Sequence, residues 1–437
     1  MSKEYDIRIV NGNIYMGGMF HHTNLYIKGE RVAKISNDFY DASETIDAQG
    51  KMVLPGMIDP HTHFGLDLGW IRSCDDFYQG SISAAYGGIT TIIDFLEPAS
   101  TIEELEAFYT KKVAEAKKSV VDVKLHATIK NPKCDLEKFV LKMKKLGMNS
   151  LKLFTTYSAS GRRTLDEDII TLLKLSKKHK FLLLAHIEND EMIRLDENSH
   201  FSSLADNRPT LSETSEALKL AQFVKETGGT LYMVHLSSGD TLSALQKEYP
   251  DILNKQFFIE SCPHYFYLSK ELLSKKEGYL YTFAPPLRSK QEKERLIQLI
   301  DQVYTIGTDH CPFLKEQKKK VLLKDIPLGI GSIEHSFDLM FHLFGKKAID
   351  KMNVRVATLH KIEDFKGMIK VGHDADIMIY QLLQNRIIET HHSSADYDVY
   401  EGMKTSGKVE STLVRGKFVI KEGNFVGGVG QLIRGKS

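Results

Sequence analysis

The sequence predicts an α/β protein: a (β/α)8 (TIM) barrel with a small β-sandwich built from both chain ends. Three observations predict it. From residue 52 onward, short apolar runs alternate with amphipathic stretches, the pattern of parallel strands and crossover helices. Eight such runs fall between residues 52 and 308, the number that closes a barrel. Before residue 52 and after residue 365 the chain reads instead as short strands joined by turns, so its ends pair beside the barrel. The expected divisions are 1–51, 52–365 and 366–437.

The N-terminal strands are marked by their turns. Ile7-Arg8-Ile9-Val10 precedes Asn11-Gly12, a hairpin signal, and Asn13-Ile14-Tyr15-Met16 precedes Gly17-Gly18. Asn24–Ile27 and Arg31–Ile35 alternate in hydropathy around Lys28-Gly29-Glu30. The barrel strands are expected at Met52–Asp59, Ile89–Phe95, Val121–Thr128, Ser150–Tyr157, Phe181–Ile187, Thr230–Leu236, Phe257–Glu260 and Val303–Thr308. Amphipathic stretches lie between them at Ile102–Lys118, Leu136–Leu146, Leu165–Lys178, Ser212–Glu226 and Lys290–Asp301. A doubly wound sheet would call for a glycine-rich phosphate loop after its first strand, and the sequence has none there. The basic run Lys315–Lys324 reads as a solvated loop. Asp374–Tyr380 and the hairpin around Val414-Arg415-Gly416-Lys417 return to β character. Gly427–Ser437 reads as a C-terminal arm.

Composition excludes several classes. With 437 residues, 42% hydrophobic and 26% charged, the chain resembles an ordinary globular enzyme. A net charge of +1 gives no purchase on nucleic acid or an anionic membrane, and no apolar run reaches spanning length. The charged N-terminus lacks a signal-peptide core, and Cys74, Cys134, Cys262 and Cys311 show no paired spacing. A cytoplasmic enzyme is expected.

Chemistry concentrates where a barrel places it, at the C-terminal ends of its strands. His61 and His63 end the first strand two residues apart, so both side chains point the same way. Lys152 sits inside the apolar fourth strand, His186 and His235 end the fifth and sixth, and Asp309 ends the eighth. Imidazole and carboxylate are metal ligands. Packing alone does not account for so many on one rim. An unpaired ammonium at Lys152 would be costly beside metal ions, so it is either neutral or converted by carbon dioxide to an anionic carbamate.

Motifs along most of the chain then carry a family. They are Pro55-Gly56-Met57-Ile58-Asp59-Pro60-His61-Thr62-His63, Asp75-Asp76-Phe77, Gly87–Phe95, Glu260-Ser261-Cys262-Pro263-His264-Tyr265, Pro285-Pro286-Leu287-Arg288 and Gly307–Phe313, with His391-His392 and Tyr400–Lys404 late in the chain. The sequence resembles the amidohydrolase superfamily, and within it the dihydropyrimidinase and D-hydantoinase group. The resemblance implies two divalent metal ions, most often zinc. His61, His63 and Asp309 would hold one ion, His186 and His235 the other, with N6-carboxylated Lys152 and a hydroxide between them. It makes Asp309 the proton carrier and Tyr157 the oxyanion partner. It implies substrate contacts at Ser261 or Cys262, before Pro285 at Ala284, and at Leu328, where relatives often carry serine and asparagine at the last two. A homotetramer is also implied. The region Val354–Gly367 departs from the family pattern.

The loop Phe64-Gly65-Leu66-Asp67-Leu68-Gly69-Trp70 is mostly apolar, so Phe64 and Leu66 are expected to face an uncharged ring or a hydrophobic 5-substituent. The expected reaction is hydrolytic opening of 5,6-dihydropyrimidines such as dihydrouracil, or of 5-substituted hydantoins, to N-carbamoyl amino acids. Allantoinases and dihydroorotases are the alternative, suggested by His264 and by Arg72 as a carboxylate partner. A non-catalytic scaffold of the dihydropyrimidinase-related kind is more distant, because every ligand position is filled.

Overall fold

The computed structural model describes residues 3–194, 196–428 and 430–435. Eight parallel strands follow chain order around one sheet: Met57–Thr62, Ile89–Phe95, Asp122–Thr128, Ser150–Phe154, Leu182–His186, Leu231–Met233, Phe257–Ser261 and Thr305–Ile306. Closure comes from the parallel bridge Thr62–His310 and the bond from His63 N–H to the His310 carbonyl at 3.0 Å. The structure is thus the expected (β/α)8 barrel. Crossover helices bury one apolar face each on the sheet. In Leu136–Lys145, for example, Phe139, Val140 and Met143 are buried, Asp135 caps the start, and lysines crowd the last turn.

The sandwich is two sheets. Four strands run in the order Arg31–Ser36, Asn24–Lys28, Tyr5–Val10, Ala42–Asp47. Seven run Asn424–Phe425, Lys417–Lys421, Lys404–Val414, Ile377–Ile387, Met52–Pro55, Asn13–Met16, Met19–His22. Ile7, Ile9 and Leu25 from the N-terminal end pack with Ile377, Ile379 and Leu413 from the C-terminal end in one core. The two chain ends therefore share a domain because neither alone can cover its apolar face.

Four sequence expectations are corrected. Met52–Asp59 is not one barrel strand: Met52–Pro55 pairs with Ile377–Tyr380 in the sandwich, and only Met57–Thr62 enters the barrel. Gly56 makes the transfer, since an added Cβ there would lie 2.2 Å from Thr90 Oγ1. Gly56→Ala is expected to destabilise the fold by about 1–3 kcal/mol, read as a lower urea midpoint. A midpoint within error of wild type would mean the junction relaxes freely. Asn11-Gly12 is not a hairpin turn, because Tyr5–Val10 and Asn13–Met16 lie in different sheets. Ser150–Phe154 stops short of Tyr157, whose φ of 71° turns the chain out of the strand. The run Lys315–Lys324 is only partly a solvated loop, for it opens with the helix Lys315–Lys318, and Lys318 is fully buried.

Of the expected arm Gly427–Ser437, residues 429, 436 and 437 lie outside the described residues. Gln431–Ile433 lies along this chain's own third strand, with Val123 N–H bonded to the Gln431 carbonyl at 2.8 Å. Helix Val354–Leu359 covers the first barrel strand where the family pattern lapses. Among the described residues no helix is long and apolar enough to cross a membrane.

Candidate active site

The strand ends bring the predicted ligands together. His61 and His63 alternate out of the first strand with Nε2 atoms 3.2 Å apart, and Asp309 Oδ1 lies 3.1 Å from each. Across the barrel mouth, His186 Nδ1 and His235 Nε2 are 3.0 Å apart. Each imidazole is aimed by its surroundings. His61 Nδ1–H donates to Glu260 at 2.7 Å, and Glu260 also accepts from His235 N–H at 3.0 Å and the Tyr232 hydroxyl at 2.6 Å. His186 Nε2–H donates to Glu188 at 2.6 Å, which leaves Nδ1 unprotonated and facing His235. Non-glycine residues rarely take positive φ, yet Tyr157, His235 and Asp309 do, at 71°, 44° and 52°. All three stand at C-terminal strand ends, beside the converging imidazoles and carboxylate.

Electrostatics follow from burial among these charges. Burial works against the His61 imidazolium, but Glu260 and Asp309 outweigh it and lift the group to about 9. Burial would raise the Asp309 carboxyl; His61 and His63 instead hold it well below the ordinary range. Burial drives His186 down to about 4 despite Glu188, and Lys152 down to about 8. Among the described residues Lys152 Nζ has no hydrogen-bond partner; the Phe95 and Phe154 rings lie 5.3 and 5.5 Å away.

Nitrogen and oxygen atoms of His61, His63 and Asp309 lie within 4.8 Å of one another, a donor set that fits a divalent ion. A second such group among the described residues, Asp122, Asp374 and Asp376, is at the opposite end of the barrel and already holds a cation. Lys366 Nζ lies 2.5, 2.9 and 2.6 Å from the three carboxylates. That hub fastens the sandwich to the barrel.

A cavity of about 280 Å³ opens over the ligand set. Tyr157, Leu66, Leu68, Trp70, Ala284, Ile326 and Leu328 line it beside the histidines, Lys152 and Asp309. Three residues expected to touch substrate are placed elsewhere. Phe64 is fully buried against Phe77 and His310. The Ser261 hydroxyl and carbonyl are committed to Leu236 and Gly307, and the Cys262 carbonyl to Tyr265. Alternation along an apolar loop cannot tell Phe64, which turns into the core, from Leu66, which faces the cavity.

Arg72 pairs with Glu115 at 3.3 Å and does not line the cavity. His264, whose identity suggested other cyclic amides, is buried against Tyr265 and Phe283, and among the described residues neither ring nitrogen is bonded. Its burial holds it down to about 3. Four contributors were missed by the sequence reading: Glu188, Arg208, Glu260 and Arg162. Glu188 stands two residues after His186, the same spacing as His61 and His63, and that signal was available. Arg208 carried none. It is fully buried on a loop, donates from Nε to Glu188 at 3.1 Å, and donates from Nη2 to the Tyr157 hydroxyl at 3.2 Å. Arg162 lines the cavity without an ion pair among the described residues.

Fold and site define a barrel hydrolase of the metal-dependent kind, with its ligands on one rim. The chain belongs to the amidohydrolase family, whose model matches residues 52–419. It is 32% identical over 458 residues to the D-hydantoinase of Geobacillus stearothermophilus, covering 98% of this chain and 96% of that one. The solved dihydropyrimidinase from Brevibacillus agri NCHU1002 superposes with a TM-score of 0.92 at 31% identity over 98% of both chains. The D-hydantoinase from a Bacillus sp. AR9 gives 0.93 at 30%, over 99% and 100%.

Proposed function

We propose that this enzyme hydrolyses the C–N bond of a cyclic amide, opening 5,6-dihydropyrimidines or 5-substituted hydantoins to N-carbamoyl amino acids. One observation carries the reading: two imidazole nitrogens and a carboxylate converge within 3.2 Å at the floor of a cavity with an apolar collar. His61, His63 and Asp309 would hold one divalent ion, and His186 and His235 a second, with carboxylated Lys152 between them. Zinc suits this nitrogen-rich set. When bound, such ions supply Lewis acidity toward a carbonyl and lower the pKa of a water.

The chain's own groups supply the rest. Water adds to the ring carbonyl carbon, and the Asp309 carboxylate takes up its proton. The Tyr157 hydroxyl, steadied by Arg208 at 3.2 Å, donates to the oxygen that gains charge. Asp309 then returns the proton to the ring nitrogen as the C–N bond breaks, leaving a free carboxylate on the product. Leu66, Leu68 and Trp70 suit a hydrophobic 5-substituent and shield the reacting atoms from bulk water. Backbone groups at Ala284 and Leu328 would meet the ring's amide edge. The free thiols of Cys74, Cys134, Cys262 and Cys311 support a cytoplasmic setting. A homotetramer belongs to the same reading.

The test is ring opening by the metal-loaded enzyme on dihydrouracil, a 5-substituted hydantoin, allantoin and dihydroorotate side by side. Preference for either of the first two is expected. Preference for dihydroorotate would move the reading toward a carboxylate held by Arg162. Metal-loaded protein that opens no ring overturns it in favour of a scaffold.

A further inference from the structure

Lys318 is a buried lysine for which the proposed chemistry has no use. An ammonium carries three protons and no acceptor, and burying it is costly unless each proton is placed. Here each is. Nζ donates to the carbonyls of Thr282 at 2.7 Å, Pro327 at 3.3 Å and Gly329 at 2.7 Å. Those carbonyls belong to the two backbone segments that carry Ala284 and Leu328 to the cavity wall. Gly329 N–H also reaches the Thr282 carbonyl at 3.3 Å, tying the segments to each other.

The consequence lies in the residue between. The Pro327 and Gly329 carbonyls, two residues apart, face one ammonium. Leu328, the residue held between them on both sides, lines the cavity. Among the described residues neither the N–H nor the carbonyl of Leu328 has a hydrogen-bond partner. The segment has no slack to retreat: a Cβ added at Gly329 would lie 2.3 Å from the Cys311 carbonyl. A held peptide group with unused bonding capacity beside a cavity is a recognition element.

We infer that Lys318 is a positioning residue for substrate specificity, fixing the backbone at Leu328 so that its free peptide groups read the N–H edge of the ring. The inference rests on the cyclic-amide reading above, which places Leu328 at the ring's amide edge, and adds to it the residue that holds that backbone in place. Lys318 itself touches neither the substrate nor the reacting atoms. Loss of its three bonds would leave the metal ligands in place and blur the discrimination.

The test is calorimetric binding of succinimide and N-methylsuccinimide, which differ only at that N–H, to metal-loaded protein. Wild type is expected to prefer succinimide by about tenfold or more. In Lys318→Met the preference falls to about unity through weaker succinimide binding, while metal content and N-methylsuccinimide affinity stay near wild type. Lys318→Gln keeps donors for two of the carbonyls and is expected to fall between; it gives the reading if the methionine variant does not fold. A wild-type preference retained in both variants overturns the positioning role, as does a wild type that binds the two imides equally. Lys318-dependent imide binding by a protein that opens none of the four rings would overturn hydrolysis and leave the positioning role standing.

Discussion

Lys152→Ala is expected to abolish ring opening and to lower the metal content of the purified protein. The loss should exceed the ~10–100-fold that removing an outer-shell partner costs a metal site, because the proposed function places Lys152 among the ligands themselves. Among the described residues its amine has no hydrogen-bond partner, and burial outweighs the attraction of Asp309 and Glu260, so a plain ammonium there is disfavoured. A structural lysine would behave oppositely, with its removal harming the fold and sparing the metal. The expected variant is therefore as stable to urea as metal-free wild type, or more so, and deficient in metal by elemental analysis. Undiminished activity in Lys152→Ala would remove the bridging role.

Arg208→Met is expected to lower stability by about 3–5 kcal/mol, the range for stripping one partner from a buried ion pair. Glu188 is fully buried, and Arg208 and His186 hold its carboxyl well below the ordinary range against the push of burial. Without the guanidinium, that carboxylate must ionise unpaired or take up a proton. Either state loosens His186, which Glu188 orients at 2.6 Å, and the Tyr157 hydroxyl loses its donor. Urea denaturation gives the stability, and the double variant Glu188→Gln/Arg208→Met gives the coupling. If the double variant is as unstable as the sum of the two single changes, Glu188 and Arg208 are not coupled and do not act as one network. Recovery of more than half the loss is the expected result.

Much of this constellation was legible because the direction of side chains on strands obeys a local rule. His61 and His63 share a face by strand alternation, and a parallel barrel sends the end of every strand to the same rim, so His186, His235 and Asp309 could be gathered from strand pattern alone. The barrel was legible for the same reason, through eight apolar runs separated by helix-length stretches. The pairing of both chain ends followed from the β character that returns after residue 365 and matches that of the N-terminal end, and the two ends share one core.

What the sequence could not decide was set by contacts between distant segments. Met52–Pro55 and Met57-Ile58 form one apolar run in the sequence; only the neighbouring strand Ile377–Ile387 assigns the first part to the sandwich. Asn11-Gly12 has hairpin chemistry, but the strands beside it find partners in separate sheets. Phe64 and Leu66 differ by two residues in one loop, and packing against Phe77 and His310 takes the first into the core. Arg208 and Lys318 are the strongest cases. Each is a cation that local pattern assigns to solvent, and each is buried because tertiary structure supplies its counter-groups: a carboxylate 20 residues away for one, three backbone carbonyls for the other. Period and spacing report which groups share a face; whether a charge can be buried depends on partners that only the folded chain brings within hydrogen-bond distance.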